Sequence, residues 1–317
     1  MTGMTPGERV RAALKGEHVD RVPFCFWHHF KPEGSGERMA DLTMEFFVQK
    51  FDLDIVKIMP DLPYPQPADP LVAAEQMRSL PRLDLDTPMF REQLTCIRLL
   101  RERLGNEYPL ILTLFSPMTY AIRYMGKQKA IAECRKNPLV FGEGLGTIAS
   151  NLRRLIVGAV ETGASGIFFS CMGATTADFT RDEYVKYALP YDVEALQGAA
   201  GGWLNIVHVH ADPTQTDDQL YFDIFIDYPV SVMSWSDRLT GPSLSEAATM
   251  TLKCLMGGLH ERGPLTHGDE SAIDNEIMAA VSQTKGRRLI LANGCSIPDD
   301  NPEEWLHVAR RLVDNLA

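Results

Sequence analysis

The chain has 317 residues, of which 45% are hydrophobic and 23% charged, and its formal net charge is −11. That is ample apolar material for a packed core, and an acidic surface repels phosphate backbones and anionic headgroups, which sets nucleic acid and membranes aside as partners. No apolar run reaches the roughly 18 residues of a membrane span and the N-terminus lacks the apolar core of a secretory signal, so the expected compartment is the cytoplasm, where the six cysteines stay reduced.

Short apolar runs alternate with longer amphipathic segments, the pattern of parallel strands joined by helical crossovers. A first strand is expected over 22–27, then a helix over 40–51 whose stripe is Leu42, Met44, Phe46, Phe47 and Phe51. A second strand over 55–59 runs into a loop over 59–73 with Pro60, Pro63, Pro65, Pro67 and Pro70, read as an ordered cover over the mouth of the fold. Helix 90–104, strand 110–115, a long helix from about 139 to 162, strand 166–170 and helix 181–196 follow. Strands over 204–210 and 230–235 come next, then helix 244–253 and strand 254–259, the last weakened by Gly257 and Gly258. Helix 272–283, strand 288–293 and helix 302–316 complete the chain; the final helix opens with Asp300 and Asn301 as capping types, Pro302 in its first turn, and Glu303 and Glu304 near its positive end. Eight strands with intervening helices predict one α/β domain over residues 1–317, a (β/α)8 TIM barrel. An open dinucleotide-binding sheet is set aside, because Gly142, Gly144 and Gly146 lie inside a helical stretch rather than at a strand–helix turn.

In such a barrel the reactive groups gather at the C-terminal ends of the strands. The residues there are Trp27, His28, His29, Asp61, Ser116, Cys171, His208, His210, Asp212, Asp237, Arg238, Asn293 and Cys295. His208-Val209-His210 is the sharpest pattern, since strand residues i and i+2 share a face and both imidazoles can reach one atom. Cys295 follows the last strand, whose end can converge on the same point in a closed barrel. Two histidines and a cysteine are three ligands with a fourth position open, the layout of a catalytic zinc site. On spacing alone, a hydrogen-bonded histidine pair beside an inert thiol is the alternative. Consecutive extended residues face opposite ways, so one of His28 and His29 is expected in the mouth. Asp61 is a candidate general acid or base, or else a turn residue. Asp237 and Arg238 are candidates for positioning a substrate, or else a rim ion pair. Trp27, Ser116, Cys171, Trp235 and Asn293 are the candidates for lining a cofactor pocket. Gly257-Gly258 reads as tight packing rather than a phosphate seat. The sequence has no G-x-S-x-G, H-E-x-x-H or Walker A motif.

The opening Thr5-Pro6-Gly7-Glu8-Arg9-Val10-Arg11-Ala12-Ala13-Leu14-Lys15-Gly16 with Asp20-Arg21-Val22-Pro23, the middle segments Phe26-Trp27-His28-His29-Phe30, Phe115-Ser116-Pro117 and Trp235-Ser236-Asp237-Arg238, and the closing Leu291-Ala292-Asn293-Gly294-Cys295-Ser296-Ile297-Pro298 resemble the uroporphyrinogen decarboxylase superfamily over nearly the whole chain. The resemblance implies the same barrel. True decarboxylases of that superfamily have an N-terminal arginine-rich segment, a catalytic aspartate and a C-terminal histidine. Here Trp27-His28-His29-Phe30-Lys31-Pro32 has no arginine, Cys295 stands at the histidine position, and Asp61 matches the aspartate. The chain is more similar to the cobalamin-dependent methyltransferases of the coenzyme M type, which hold zinc with an H-x-C pair and a distant cysteine. The matching positions are His208, His210 and Cys295, with His210 replacing a cysteine. The resemblance implies zinc-dependent transfer of a methyl group between a corrinoid (methylcobalamin or a corrinoid-binding protein) and a thiol or similar small acceptor. It implies that His28 or His29 orients the acceptor and that Asp237 and Arg238 bind its polar end, and it makes a homodimer an expectation. Decarboxylation of a tetrapyrrole, which arginines such as Arg123 or Arg238 in the mouth would favour, and a non-catalytic ligand-binding barrel are the alternatives.

Overall fold

All eight expected strands form and all run parallel in the computed structural model, which describes residues 3–211 and 219–316. They are β1 (Phe24–Cys25), β2 (Val56–Ile58), β3 (Leu110–Phe115), β4 (Gly166–Cys171), β5 (Ile206–Val209), β6 (Val232–Trp235), β7 (Cys254–Leu259) and β8 (Leu289–Asn293). The sheet order is β1-β8-β7-β6-β5-β4-β3-β2, so sequence neighbours pair and the chain curls into a TIM-barrel-like domain with helices between the strands. Among the described residues no ladder joins β1 to β2. Asp54 bridges that seam instead: its amide donates to the Phe24 carbonyl at 3.0 Å and its carboxylate accepts from the Phe24 amide at 2.8 Å. This explains why β1 is shorter than the expected 22–27. Phe24 spends its free edge on Asp54, and Pro23 has no amide to extend a ladder.

The Asp54 carboxylate is buried and takes guanidinium nitrogens of Arg9 and Arg21, both at 2.5 Å. Arg9 also pairs with Asp20 at 2.6 Å. It is carried by the opening helix, Pro6–Lys15, whose Thr5 and Glu8 form a capping box. The N-terminal rim of the barrel is thus clamped by charges that are all matched.

Local chemistry explains the remaining differences. The segment expected as one helix over 181–196 forms two, Arg181–Tyr187 and Leu189–Leu196, because Pro190 cannot donate an intrahelical bond. The helix expected over 40–51 begins at Gly36 and widens to π-helical turns over Met44–Lys50, where the adjacent Phe46 and Phe47 are both buried. Two helices after β3, Pro117–Met125 and Lys127–Lys136, were not expected. β7 forms despite its glycines: a Cβ on Gly257 would lie 2.5 Å from Asp237 Oδ1, and the Gly258 amide donates to that oxygen at 2.8 Å. The glycines therefore serve packing. The proline-rich loop is ordered and anchored beside the mouth by Tyr124, whose hydroxyl donates to the Pro65 carbonyl at 2.8 Å. Among the described residues no helix is long and apolar enough to cross a membrane.

Candidate metal centre

Register sets which side chains enter the barrel. Ser170, His208 and Ser234 are paired neighbours across β4, β5 and β6, and the next level, Cys171, Val209 and Trp235, is one residue out of phase. Since alternate strand residues face opposite ways, the first set points inward and the second toward the helices. His208 is buried, stacks on Phe168 at 5.3 Å, and has Nδ1 3.2 Å from Ser234 Oγ. That contact leaves Nε2 for a further partner. His210, just past the end of β5, stacks on His208 at 6.1 Å.

Cys295 arrives from β8 through a turn that only glycine fits. A Cβ on Gly294 would lie 2.6 Å from Ser236 Cα and 2.9 Å from Glu261 Oε2. The Asn293 side-chain amide donates to the Cys295 carbonyl and fixes the turn. As a result His208, His210 and Cys295 each offer a ligand atom, and these atoms lie within 4.8 Å of one another. Burial, then the neighbouring His210 and Lys57, hold the His208 pKa well below its usual value, so it stays in its neutral, ligating form. Burial, with Glu261 adding to it, pushes the Cys295 thiol up to about 11. A cation would reverse that preference, because thiolate is the form that binds. The donor set, two imidazoles and a thiol with one imidazole held from behind by a hydroxyl, fits zinc.

These donors open on a hollow of about 410 Å³, lined also by Trp27, His29, Lys57, Phe115, Arg123 and Phe168. A neighbouring hollow of about 450 Å³ shares His29, His210 and Cys295 and reaches Glu261. A larger one of about 520 Å³ lies under the proline-rich loop between Tyr64, Leu71 and Tyr124, away from the three donors, and has no comparable chemistry.

The other sequence candidates divide. Trp27 lines the hollow and packs edge-on against Phe168 at 5.4 Å. His29 is the member of its pair that faces the mouth, with Nδ1 2.6 Å from Asp61 Oδ1, while Asp61 Oδ2 accepts from the Phe30 amide at 2.7 Å. His28 turns instead into Phe30 and Phe46, at 4.9 and 4.5 Å, and burial lowers its pKa. Asn293 supports Cys295 from behind.

Five candidates point elsewhere and correct the expectation that they contact a cofactor or substrate. Ser116 caps the helix Pro117–Met125, accepting from the Thr119 amide at 3.2 Å. Cys171 and Trp235 belong to the outward level; the thiol lies 3.8 Å from Asp192 and the indole donates to the Pro242 carbonyl at 2.8 Å. Arg238 donates to the carbonyls of Gly258 and Glu276, both at 2.8 Å, and Asp237, raised to about 6 chiefly by burial, accepts from Gly258. Both are committed to backbone. Asp212 lies outside the described residues. Arg123 does reach the hollow, with its guanidinium 3.8 Å from the Phe115 ring, whereas Arg238 does not.

Two functional candidates had no signal in the sequence pattern. Lys57 is 1% exposed, inside the apolar run of β2, and burial pushes its ammonium down to about 7. Glu261, two residues past β7, is 2% exposed; Oε1 accepts from Ser236 Oγ at 2.8 Å and Oε2 has no hydrogen-bond partner among the described residues.

The family model described as uroporphyrinogen decarboxylase (URO-D) matches residues 55–316. Among solved structures, a methyltransferase from Methanosarcina mazei aligns with a TM-score of 0.76 at 18% identity, covering 98% of this chain and 99% of that one. A putative vitamin-B12-independent methionine synthase from Listeria monocytogenes aligns at 0.57 and 12% identity, covering 96% and 98%. A B12-independent methionine synthase from Shewanella sp. W3-18-1 aligns at 0.51 and 11% identity, covering 70% and 66%. These likenesses establish a shared fold. No curated protein sequence gave a match.

Proposed function

The chain belongs to the uroporphyrinogen decarboxylase family, and from that premise we propose that it is a zinc-dependent methyltransferase moving a methyl group between a corrinoid and a thiol or similar small acceptor. The observation that carries this reading is the convergence of His208, His210 and Cys295 at the mouth of the barrel. The likeness to a structure described as a methyltransferase supports it. Zinc held by the three residues would lower the pKa of an acceptor thiol so that thiolate forms near neutrality.

The chain's own residues prepare that chemistry. Ser234 holds Nδ1 of His208 and so fixes the ring that presents Nε2. Asn293 and Gly294 fix the Cys295 turn. Glu261, whose Oε2 lies beside that turn with no hydrogen-bond partner among the described residues, takes up the proton the acceptor gives up. His29, oriented by Asp61, borders both hollows and positions the acceptor. The open side of the mouth is where a separate corrinoid-binding protein presents its methyl group. Besides the family model's own description, Arg123 in the hollow favours the decarboxylase reading, but a single guanidinium at the rim is a poor match for a substrate bearing many carboxylates.

The test is methyl transfer from methylcobalamin to small thiols by the zinc-loaded protein, followed by the methylcobalamin spectrum and by mass spectrometry of the S-methyl product. Turnover that disappears in Cys295→Ala is expected. Turnover that persists in that variant, or no S-methyl product across a panel of thiols, would remove the reading.

A further inference from the structure

The hollow of about 520 Å³ under the proline-rich loop lies apart from the three convergent donors and takes no part in the proposed methyl transfer. Its walls are built to stay open. Pro65, Pro67 and Pro81 line it, and their fixed backbone does not relax into the space. Bonds from outside the loop tie it down. The Tyr124 hydroxyl donates to the Pro65 carbonyl at 2.8 Å, and the Leu71 amide donates to the Tyr124 carbonyl at 2.9 Å. Asn151, 1% exposed on the helix Pro138–Thr162, donates to the Tyr64 hydroxyl at 2.9 Å and to the Pro81 carbonyl at 3.0 Å, and accepts from the Leu83 amide at 2.9 Å. One buried amide thus pins Tyr64 to the segment that carries Pro81 and Leu83.

These bonds also decide what can fill the space. They commit polar groups of the wall to the protein itself, and what remains is ring face and aliphatic side chain: Tyr64 and Tyr124, each 4% exposed, with Leu71, Leu80 and Leu83. Tyr120 at 4.5 Å and Phe90 at 5.7 Å back the Tyr64 ring and hold it as a flat wall. Tyr64 also offers a donor. Its oxygen accepts from Asn151, which leaves its own O–H to give, and burial pushes that phenol up to about 12, so the proton is present near neutrality. Glu75, an exposed carboxylate, stands among the lining residues, and in a chain of net charge −11 it repels anions.

We propose that this hollow is a second binding site, for an uncharged, flat aromatic molecule bearing a hydrogen-bond acceptor. Its ring lies among Tyr64, Tyr124 and the leucines, and its acceptor meets the Tyr64 hydroxyl. The volume is that of a small-molecule pocket, and apolar walls left without a partner forgo dispersion contacts that such a ring restores. The site is independent of the metal centre, so it stands or falls apart from the methyl-transfer reading.

The experiment is fluorescence titration of the full chain with three naphthalene probes. Prodan is uncharged and carries a ketone, N-phenyl-1-naphthylamine is uncharged and has no carbonyl, and 8-anilino-1-naphthalenesulfonate is the anionic counterpart of the second. The native protein is compared with Tyr64→Phe and with Ser79→Trp and Leu80→Trp, which project an indole into the hollow; thermal unfolding reports whether each variant is folded. Native protein is expected to bind both uncharged probes at about one site per chain, and the sulfonate about tenfold more weakly or less. Tyr64→Phe should weaken Prodan about fivefold, the size of one hydrogen bond, and leave phenylnaphthylamine unchanged. A folded tryptophan variant should lose both uncharged probes and keep its metal content. No saturable binding of Prodan, binding that persists in a folded tryptophan variant, Prodan affinity untouched by Tyr64→Phe, or a sulfonate bound as tightly as its uncharged counterpart overturns the assignment. If neither tryptophan variant folds, Tyr64→Phe decides: a loss confined to Prodan upholds the site, and an equal effect on both uncharged probes overturns it.

Discussion

The two ends of β2 handle buried charge in opposite ways. At its N-terminal end Asp54 is enclosed by Arg9 and Arg21 and bonded to the Phe24 amide, so each charge meets its opposite and the cluster closes the barrel seam. On its inner face, one residue into the strand, Lys57 is as deeply buried and among the described residues meets only a thioether and aromatic faces, and across the mouth Glu261 keeps one oxygen unpartnered among the described residues. The matched cluster holds the fold, whereas the unmatched groups stand where a ligand would satisfy them. This is the division between the stabilising and reactive faces expected of a barrel.

The comparison breaks most visibly if the seam is disarmed. Asp54→Ala removes the buried carboxylate that Arg9 and Arg21 share, leaving Arg9 with Asp20 and Arg21 with Asp314, and urea denaturation should show a loss of about 3–5 kcal/mol. A loss below about 1 kcal/mol would mean that the seam does not depend on the cluster.

Next in size is a change at the mouth that spares the fold. Ser234→Ala releases the His208 ring, and competition with a chelator should show zinc bound about 10–100-fold more weakly, at nearly unchanged stability. Unchanged zinc affinity would detach Ser234 from the metal site.

Lys57→Met should do the reverse of the seam variant and stabilise the protein by about 1–2 kcal/mol, because a buried charge with no counter-ion bonded to it among the described residues is removed. The pH dependence sharpens this. The folded-state pKa is depressed to about 7 from the usual 10.5, so below about 7 both states are protonated and the cost is present in full. From there toward 10.5 the unfolded chain binds more protons than the folded one, and native stability rises. The advantage of Lys57→Met should therefore shrink as pH climbs through that window, and a constant or widening gap in thermal midpoints would contradict it. The smallest effect belongs to the outward level of the strands: Cys171→Ala should leave zinc content and methyl transfer unchanged, and a loss of zinc would mean that its orientation has been misread.

Much of this was legible from local pattern. The eight strands follow from apolar runs between amphipathic segments, and the His208–His210 pair follows from strand periodicity. Strand phase was harder to read. Cys171 and Trp235 stand at strand ends like His208, but which alternate set faces inward is decided by register with neighbouring strands. Asp237 and Arg238 were drawn to the backbone of β7 because Gly257 leaves room for the carboxylate. Lys57 was hidden because a single lysine in an apolar strand gives no sign that it is buried without a counter-ion. Glu261 follows a strand weakened by its glycines and belongs to no motif.

The central claim is that His208, His210 and Cys295 form one metal centre. Elemental analysis by mass spectrometry of protein purified without added metal, native and Cys295→Ala, tests it directly. About one zinc per chain in the native protein, absent from the variant, is the predicted result. No zinc in the native protein even after supplementation, or equal zinc in both, would contradict it.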